Sequence, residues 1–370
     1  MKFSCEKYLI QAAVATASRA AAGKNPIPAL EGLLIEASHD VRVTGYDLKK
    51  GIYTSFPADV SEPGSVVLGA RLFGEIIRSL PDGIVKISTE QGNVTKISCG
   101  SAEFSIIGTD AGDYPELPEL DYQSAISLPQ KALRGMIEQT IFAVSDNESR
   151  PVYTGSLFEV ENDVLTIVSV DGYRLALRRE PIDRSDVEKT SFIVPGSALS
   201  DVEKICSDSE EPVKIIVGSK HVSFTVDDTV LISRRLDGEF LNYRKSIPSE
   251  FKVNVKAERA ALGRVVDRVS LIIDDKVKNP LRCTFGDDEI KIVCITSLGR
   301  AEDVCPVEGQ GGGLEIGFNN RYLQDVLKAA PAEKLLLRLN SGTSPCVIVP
   351  ENEDDSFLYM VLPVRLKAGE

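Results

Sequence analysis

Two histidines, seven cysteines and a few acidic pairs are the residues with which this chain could do chemistry, and their spacing argues against most of it. His39 and His221 both adjoin polar hairpin turns. Cys5, Cys99, Cys206, Cys283, Cys294, Cys305 and Cys346 are scattered, odd in number and never spaced as C-x-x-C. A disulfide framework or a zinc site needs closer, paired ligands, so these read as buried free thiols of a reducing compartment. No G-x-x-x-x-G-K-[ST] loop, H-E-x-x-H helix or G-x-S-x-G elbow occurs. Gly311, Gly312 and Gly313 lie in a polar stretch before a strand and read as a connector rather than a phosphate cradle. Asp287-Asp288 and Asp354-Asp355 fall in turn sequences, where solvated carboxylates belong. No catalytic residue, metal or cofactor is expected.

What is left is charge at helical spacing. Six segments are amphipathic, and together they hold twelve basic against eight acidic side chains in a chain of formal charge −13. The acidity therefore lies outside the helices. Arg71, Arg78, Lys131, Arg134, Lys204, Arg264 and Arg268 are among the basic residues. Such faces are read in two ways: as solvated surface, or as a lining for a polyanion held by attraction that ignores base sequence. Near the N-terminus, Glu6, Lys7 and Gln11 interrupt the apolar run, so a helix of the mature protein is expected there rather than a secretory signal. No run approaches the length of a membrane span.

The elements that must position these residues repeat. Each of three passes opens with a strand and a helix: Met1–Ser4 then a helix to about Ala21, Ser124–Leu128 then Gln130 to about Ala143, and Phe251–Val255 then Glu258 to about Ile273. A proline-marked break and two alternating strands follow, such as Val41–Tyr46, Val164–Val170 and Ile290–Thr296. A second strand and helix come next, with helices at Arg71–Leu80, Ser197–Ser207 and Asn320–Ala330. A hairpin and a last strand close each pass, the last strands being Glu103–Ile107, Val230–Leu236 and Phe357–Leu362. The offset of about 125 residues is too long for a solenoid and suits three sister domains, 1–120, 121–249 and 250–370. The fold class is α+β, each domain two helices packed on antiparallel sheets.

Four segments carry a resemblance: Val170-Asp171-Gly172-Tyr173-Arg174-Leu175-Ala176, Leu236-Asp237-Gly238-Glu239-Phe240-Leu241-Asn242-Tyr243-Arg244, Ile316-Gly317-Phe318-Asn319-Asn320-Arg321-Tyr322-Leu323, and Leu362-Pro363-Val364-Arg365-Leu366. With the threefold layout they resemble the bacterial DNA polymerase sliding clamps, the beta subunits of the replicative polymerase. That resemblance implies a head-to-tail homodimer closing six clamp-type domains into a ring, helices inside, that slides on duplex DNA and is cytoplasmic. It implies a polymerase alpha subunit, a clamp loader and other proteins as partners, and no membrane. Their peptides would enter a cleft that maps to Arg150, Tyr153, Val170, Gly172, Tyr173, Arg174, Leu175, Leu241, Lys245, Ser246, Cys346, Met360, Val361, Leu362, Pro363, Val364, Arg365 and Leu366. Leu175, Val361, Leu362 and Pro363 would form an apolar trough, with Arg174 and Arg365 as donors at its edge. Lys24, Asn147 and Arg150 would touch DNA with the helix cations. Phe104 and Ile106 would close on Leu271 and Ile272 of a second chain. Two rivals stand beside this reading: a repeat scaffold that binds linear peptides without encircling DNA, and an enzyme with an unrecognised site.

Overall fold

A computed structural model describes residues 1–182, 184–186, 188–274 and 279–366. They form two compact units, Met1–Arg134 with Asp183–Val187 and Ser197–Arg235, and Gly135–Ile182 with Glu188–Gly196 and Leu236–Glu370.

The first unit holds two antiparallel sheets. One has five strands in the order Asp59–Glu62, Lys2–Glu6, Ile84–Thr89, Val94–Cys99, Ala102–Ile107. The other has nine and runs from Arg184–Ser185 through Thr229–Arg234 and Lys50–Phe56 to Gly64–Gly69. Alternation decides their inner faces: Val41 and Val43 are buried with Arg42 exposed between them. The helices α1 (Lys7–Ala17) and α2 (Ala70–Ser79) bury Ile10, Val14, Phe73 and Ile77 in the same core as those strands. Arg71, Glu75 and Arg78 take the far side of α2, and Pro81 follows its end.

Two further helices, α3 (Gln130–Glu138) and α4 (Gly196–Ile205), belong to the second pass. In the second unit a single sheet of twelve strands runs from Lys189–Pro195 to Leu314–Phe318. Against it lie α5 (Arg259–Ser270), which buries Leu262, Val265, Val266 and Val269, and α6 (Asn320–Ala329), capped by the Asn319 carboxamide oxygen accepting from Arg321 N–H at 2.9 Å. The long strand Gly299–Gln310 pairs first with Glu289–Thr296 and then, from Val307 on, with Val253–Glu258. Its Gly309 makes that change possible: a Cβ there would sit 2.1 Å from the Asn254 carbonyl oxygen.

The six expected helices are present, and α1, α3 and α5 end a few residues early. Three long strands escaped the pattern, Lys50–Phe56, Arg174–Pro181 and Gly299–Gln310, as did the short Asp59–Glu62 and Arg184–Ser185. The first two explain why the compact units do not follow the sequence repeat. Lys50–Phe56 of pass one pairs with Thr229–Arg234 of pass two, and Arg174–Pro181 of pass two pairs with Phe357–Val361 of pass three, so hydrogen-bonded sheets cross each joint. Among the described residues, no helix is long and apolar enough to cross a membrane.

Candidate functional site

The seam between Arg174–Pro181 and Phe357–Val361 pairs Leu175 with Met360 and Leu177 with Leu358. Successive side chains alternate between its faces, so the seam has two different surfaces. One gathers Val170, Leu175, Leu177, Val347 and Met360, joined by the partly buried Val152, Tyr153 and Phe240. Tyr153 meets Phe240 edge to face, with ring centroids 5.5 Å apart. Leu241 stands exposed at the border of this apolar patch, and Lys245 and Ser246 lie exposed in a short 3-10 turn, Tyr243–Ser246.

Cys346 and Val361 do not join it. They sit opposite one another on the helix-facing side, fully buried in the core of α5 and α6. The expected trough therefore loses Val361: it and Cys346 back the patch without lining it, because a one-residue step along a strand reverses the face.

Arg174 is corrected in the same way. Its guanidinium side chain is 11% exposed. Its Nε donates to Asp171 at 2.9 Å, Nη1 to Asp325 at 2.5 Å and Nη2 to the Phe142 carbonyl at 2.6 Å, and the group lies 4.5 Å from the Tyr322 ring centre. With these acceptors in place it is a tie between the Asp171 turn and α6 rather than a donor at an edge. The Asp171 carboxylate also caps the turn, accepting from Tyr173 N–H at 2.8 Å and Arg174 N–H at 3.0 Å, while Gly172 takes a φ of 92°. Tyr173 is thereby held outward, 61% exposed, and stacks on Tyr322 at 6.1 Å.

Leu362–Leu366 leaves the sheet beside this turn. Leu362 N–H donates to Tyr173 O and Val364 N–H to Gly317 O, both at 2.8 Å. Leu362, Pro363, Val364 and Leu366 are partly buried and Arg365 is exposed. Next to the tail, Tyr173, Arg174, Asn147, Asn319 and Tyr322 help line a polar cavity of about 430 Å³. Arg150 is exposed in the Asn147–Arg150 loop, its N–H donating to Asn147 O at 3.2 Å. Leu177, Val347, Phe240 and Tyr243 were missed. Val347 follows from a one-residue step along a strand already expected, whereas Leu177 lies on the unexpected strand Arg174–Pro181 and Tyr243 in a connector without periodicity.

The helix cations are surface residues with nearby acids. Arg71 lies 3.4 Å from Glu75, Lys131 3.9 Å from Glu210, and Arg268 bonds Asp303 at 2.6 Å. Arg78, Lys204, Arg264, Lys24 and Asn147 are exposed, and Arg134 is half-buried. Of the expected closing residues, Phe104, Ile106 and Ile272 are partly buried against their own cores. Among the described residues the most exposed large apolar side chains are Leu271 at 83%, Ile107 at 81% and Leu298 at 76%.

Three tandem strand–helix passes joined edge to edge define a clamp-type architecture. Family models for the DNA polymerase III beta subunit match throughout: the N-terminal domain over residues 1–118, the central domain over 127–242 and the C-terminal domain over 244–365. The chain is 33% identical to the beta sliding clamp of Halalkalibacterium halodurans over 380 residues, covering 99% of this chain and 100% of the relative. It is 33% identical to the Staphylococcus aureus beta sliding clamp over 359 residues, 94% of each. The crystal structure of the Bacillus subtilis DNA polymerase sliding clamp superposes with a TM-score of 0.94 at 30% identity, covering 99% of this chain and all of that one. The chain belongs to the DNA polymerase III beta subunit family, the beta sliding clamps, and its function is that of a polymerase processivity clamp.

Proposed function

We propose that two copies of this chain, each of three domains (1–120, 121–249 and 250–370), close head-to-tail into a ring around duplex DNA. The ring is non-catalytic and cytoplasmic, and tethers a polymerase, a clamp loader and other proteins through peptides seated on the apolar patch. One observation carries the closure. At each joint within the chain, the last strand of one pass pairs with the fourth strand of the pass before it: Thr229–Arg234 with Lys50–Phe56, and Phe357–Val361 with Arg174–Pro181. By that rule the pass-one strand Ala102–Ile107 awaits Gly299–Gln310. Among the described residues the first pairs only with Val94–Cys99, and residues 299–306 of the second pair only with Glu289–Thr296. Two half-used edges of this kind invite aggregation unless covered, and two copies covering both in the same sense give a closed ring.

The register follows from the seams already formed. Leu231 lies opposite Ile52 and Tyr359 opposite Ala176. Transferring that register by hairpin position and face sets Phe104 opposite Ala301, Ser105 opposite Arg300 and Ile107 against Leu298. The two core-facing residues, Phe104 and Ala301, then meet, and so do two of the most exposed apolar side chains. Within the ring, exposed cations on the helices attract phosphates without reading bases, which permits sliding.

The test is the mass in solution together with retention on DNA. A dimer at micromolar concentration that a loader leaves bound to circular duplex, and that slides off once the circle is cut, supports the ring. A monomer that binds peptide yet is not retained on any DNA supports the scaffold reading instead.

A further inference from the structure

Resting on the peptide-patch reading, we infer that Glu159 is the positioning residue that holds the irregular wall of that patch. The wall is the connector between Thr229–Arg234 and Val253–Glu258, whose one regular feature is the turn Tyr243–Ser246. It nevertheless supplies Phe240, Tyr243 and Ile247 to the apolar cluster and Leu241 to its border. Backbone hydrogen bonds tie the connector at its ends, from Leu236 N–H to Ile193 O and from Lys252 N–H to Leu339 O, both at 3.0 Å.

Between those ends, a single carboxylate on a sheet strand takes hold of it. Glu159 lies on Gly155–Glu161, two residues beyond the cluster residue Leu157 and on the same face. Its Oε2 accepts from the Tyr243 hydroxyl at 2.6 Å and from Arg244 Nη2 at 3.0 Å, and its Oε1 accepts from Arg244 Nη1 at 3.2 Å. Tyr243 is the anchor: its ring is among the largest fully buried side chains, and the Arg244 guanidinium lies 4.7 Å from the ring centre. Burial and the Glu159 bond both push the phenol's pKa up, so it stays a donor at any ordinary pH. The buried end of this pair is costly to leave unmade, and charge-assisted bonds of this type are strong. An ordered wall lets a peptide bind without paying to order it.

Fluorescence anisotropy of a short labelled peptide with adjacent Leu and Phe tests this on the full-length chain. Glu159→Ala is expected to weaken binding about tenfold. Tyr243→Phe, which keeps the buried ring and the Arg244 bonds, is expected to weaken it by less, and the double variant no further than Glu159→Ala, because that change already breaks the Tyr243 tie. Glu161→Gln on the same strand breaks a surface pair with Lys189 and should leave affinity unchanged. Hydrogen exchange across residues 237–247 should quicken in Glu159→Ala while the flanking strands keep their protection. Wild-type affinity in Glu159→Ala, or additive losses in the double variant, would overturn the assignment. A wild-type chain that ignores the peptide would overturn the patch reading instead, and the exchange comparison would still decide whether Glu159 holds the connector.

Discussion

Leu362 and Val361 are neighbours in the sequence, and the strand separates their roles. Leu362 is partly exposed beside the Tyr173 turn, whereas Val361 is fully buried against the helices. Leu362→Ala should therefore reduce peptide affinity by about 1–2 kcal/mol without altering the urea midpoint. Val361→Ala should lower stability by about 2 kcal/mol with little direct effect on peptide contacts. Titration calorimetry and urea unfolding distinguish the two, and the reverse assignment would mean the face was misread. Arg174 makes the same point about polar groups. Its sequence motif marked it as important, but only its partly buried partners reveal what it does. Arg174→Ala strands Asp171, Asp325 and the Phe142 carbonyl, and should cost about 3 kcal/mol in urea unfolding. The cysteines were legible from spacing alone: all seven are free and buried. Burial lifts the Cys5, Cys206 and Cys283 thiols to about 12, so Ellman's reagent at pH 8 should find them only after unfolding.

At the scale of elements, the helices and most hairpins could be read from periodicity because each buries one face locally. Arg42 between Val41 and Val43 is strand alternation, and Phe73, Ile76 and Ile77 on α2 are helical spacing. The seam strands could not be read that way. Arg174–Pro181 carries Arg174, Arg178, Arg179 and Glu180, and it is held between its hairpin neighbour Val164–Val170 and an edge supplied from nearly two hundred residues away. The same blindness to long-range pairing placed Cys346 and Val361 on the wrong side of the sheet. The tail Leu362–Leu366 depends on another distant feature, the missing side chain of Gly317. A Cβ there would lie 2.4 Å from the Val364 carbonyl oxygen and 2.8 Å from Leu366 Cδ2. Gly317→Ala should thus displace the tail and weaken peptide binding while the twelve-stranded sheet persists. A crystal structure of the variant with an unmoved tail would contradict this.

For the whole molecule, the threefold repeat was plain from sequence, but repetition alone assigns no function. What gives it meaning is that two of three equivalent seams are formed within one chain and the third is left with both edges available. The acidic balance outside the helices and the exposed cations on them suit the proposed ring, which would surround a polyanion without gripping it. DNA association through these exposed cations should weaken with added salt, as counterions compete with them for the phosphates. The most direct measurement is a cross-link across the missing seam. With the native thiols buried, a chain carrying both Ile107→Cys and Leu298→Cys is oxidised under native conditions and run on a denaturing, non-reducing gel. A closed head-to-tail pair gives a covalent dimer that reverts to single chains on reduction. Single chains before reduction, from protein that is folded and whose two new thiols are accessible, would contradict it.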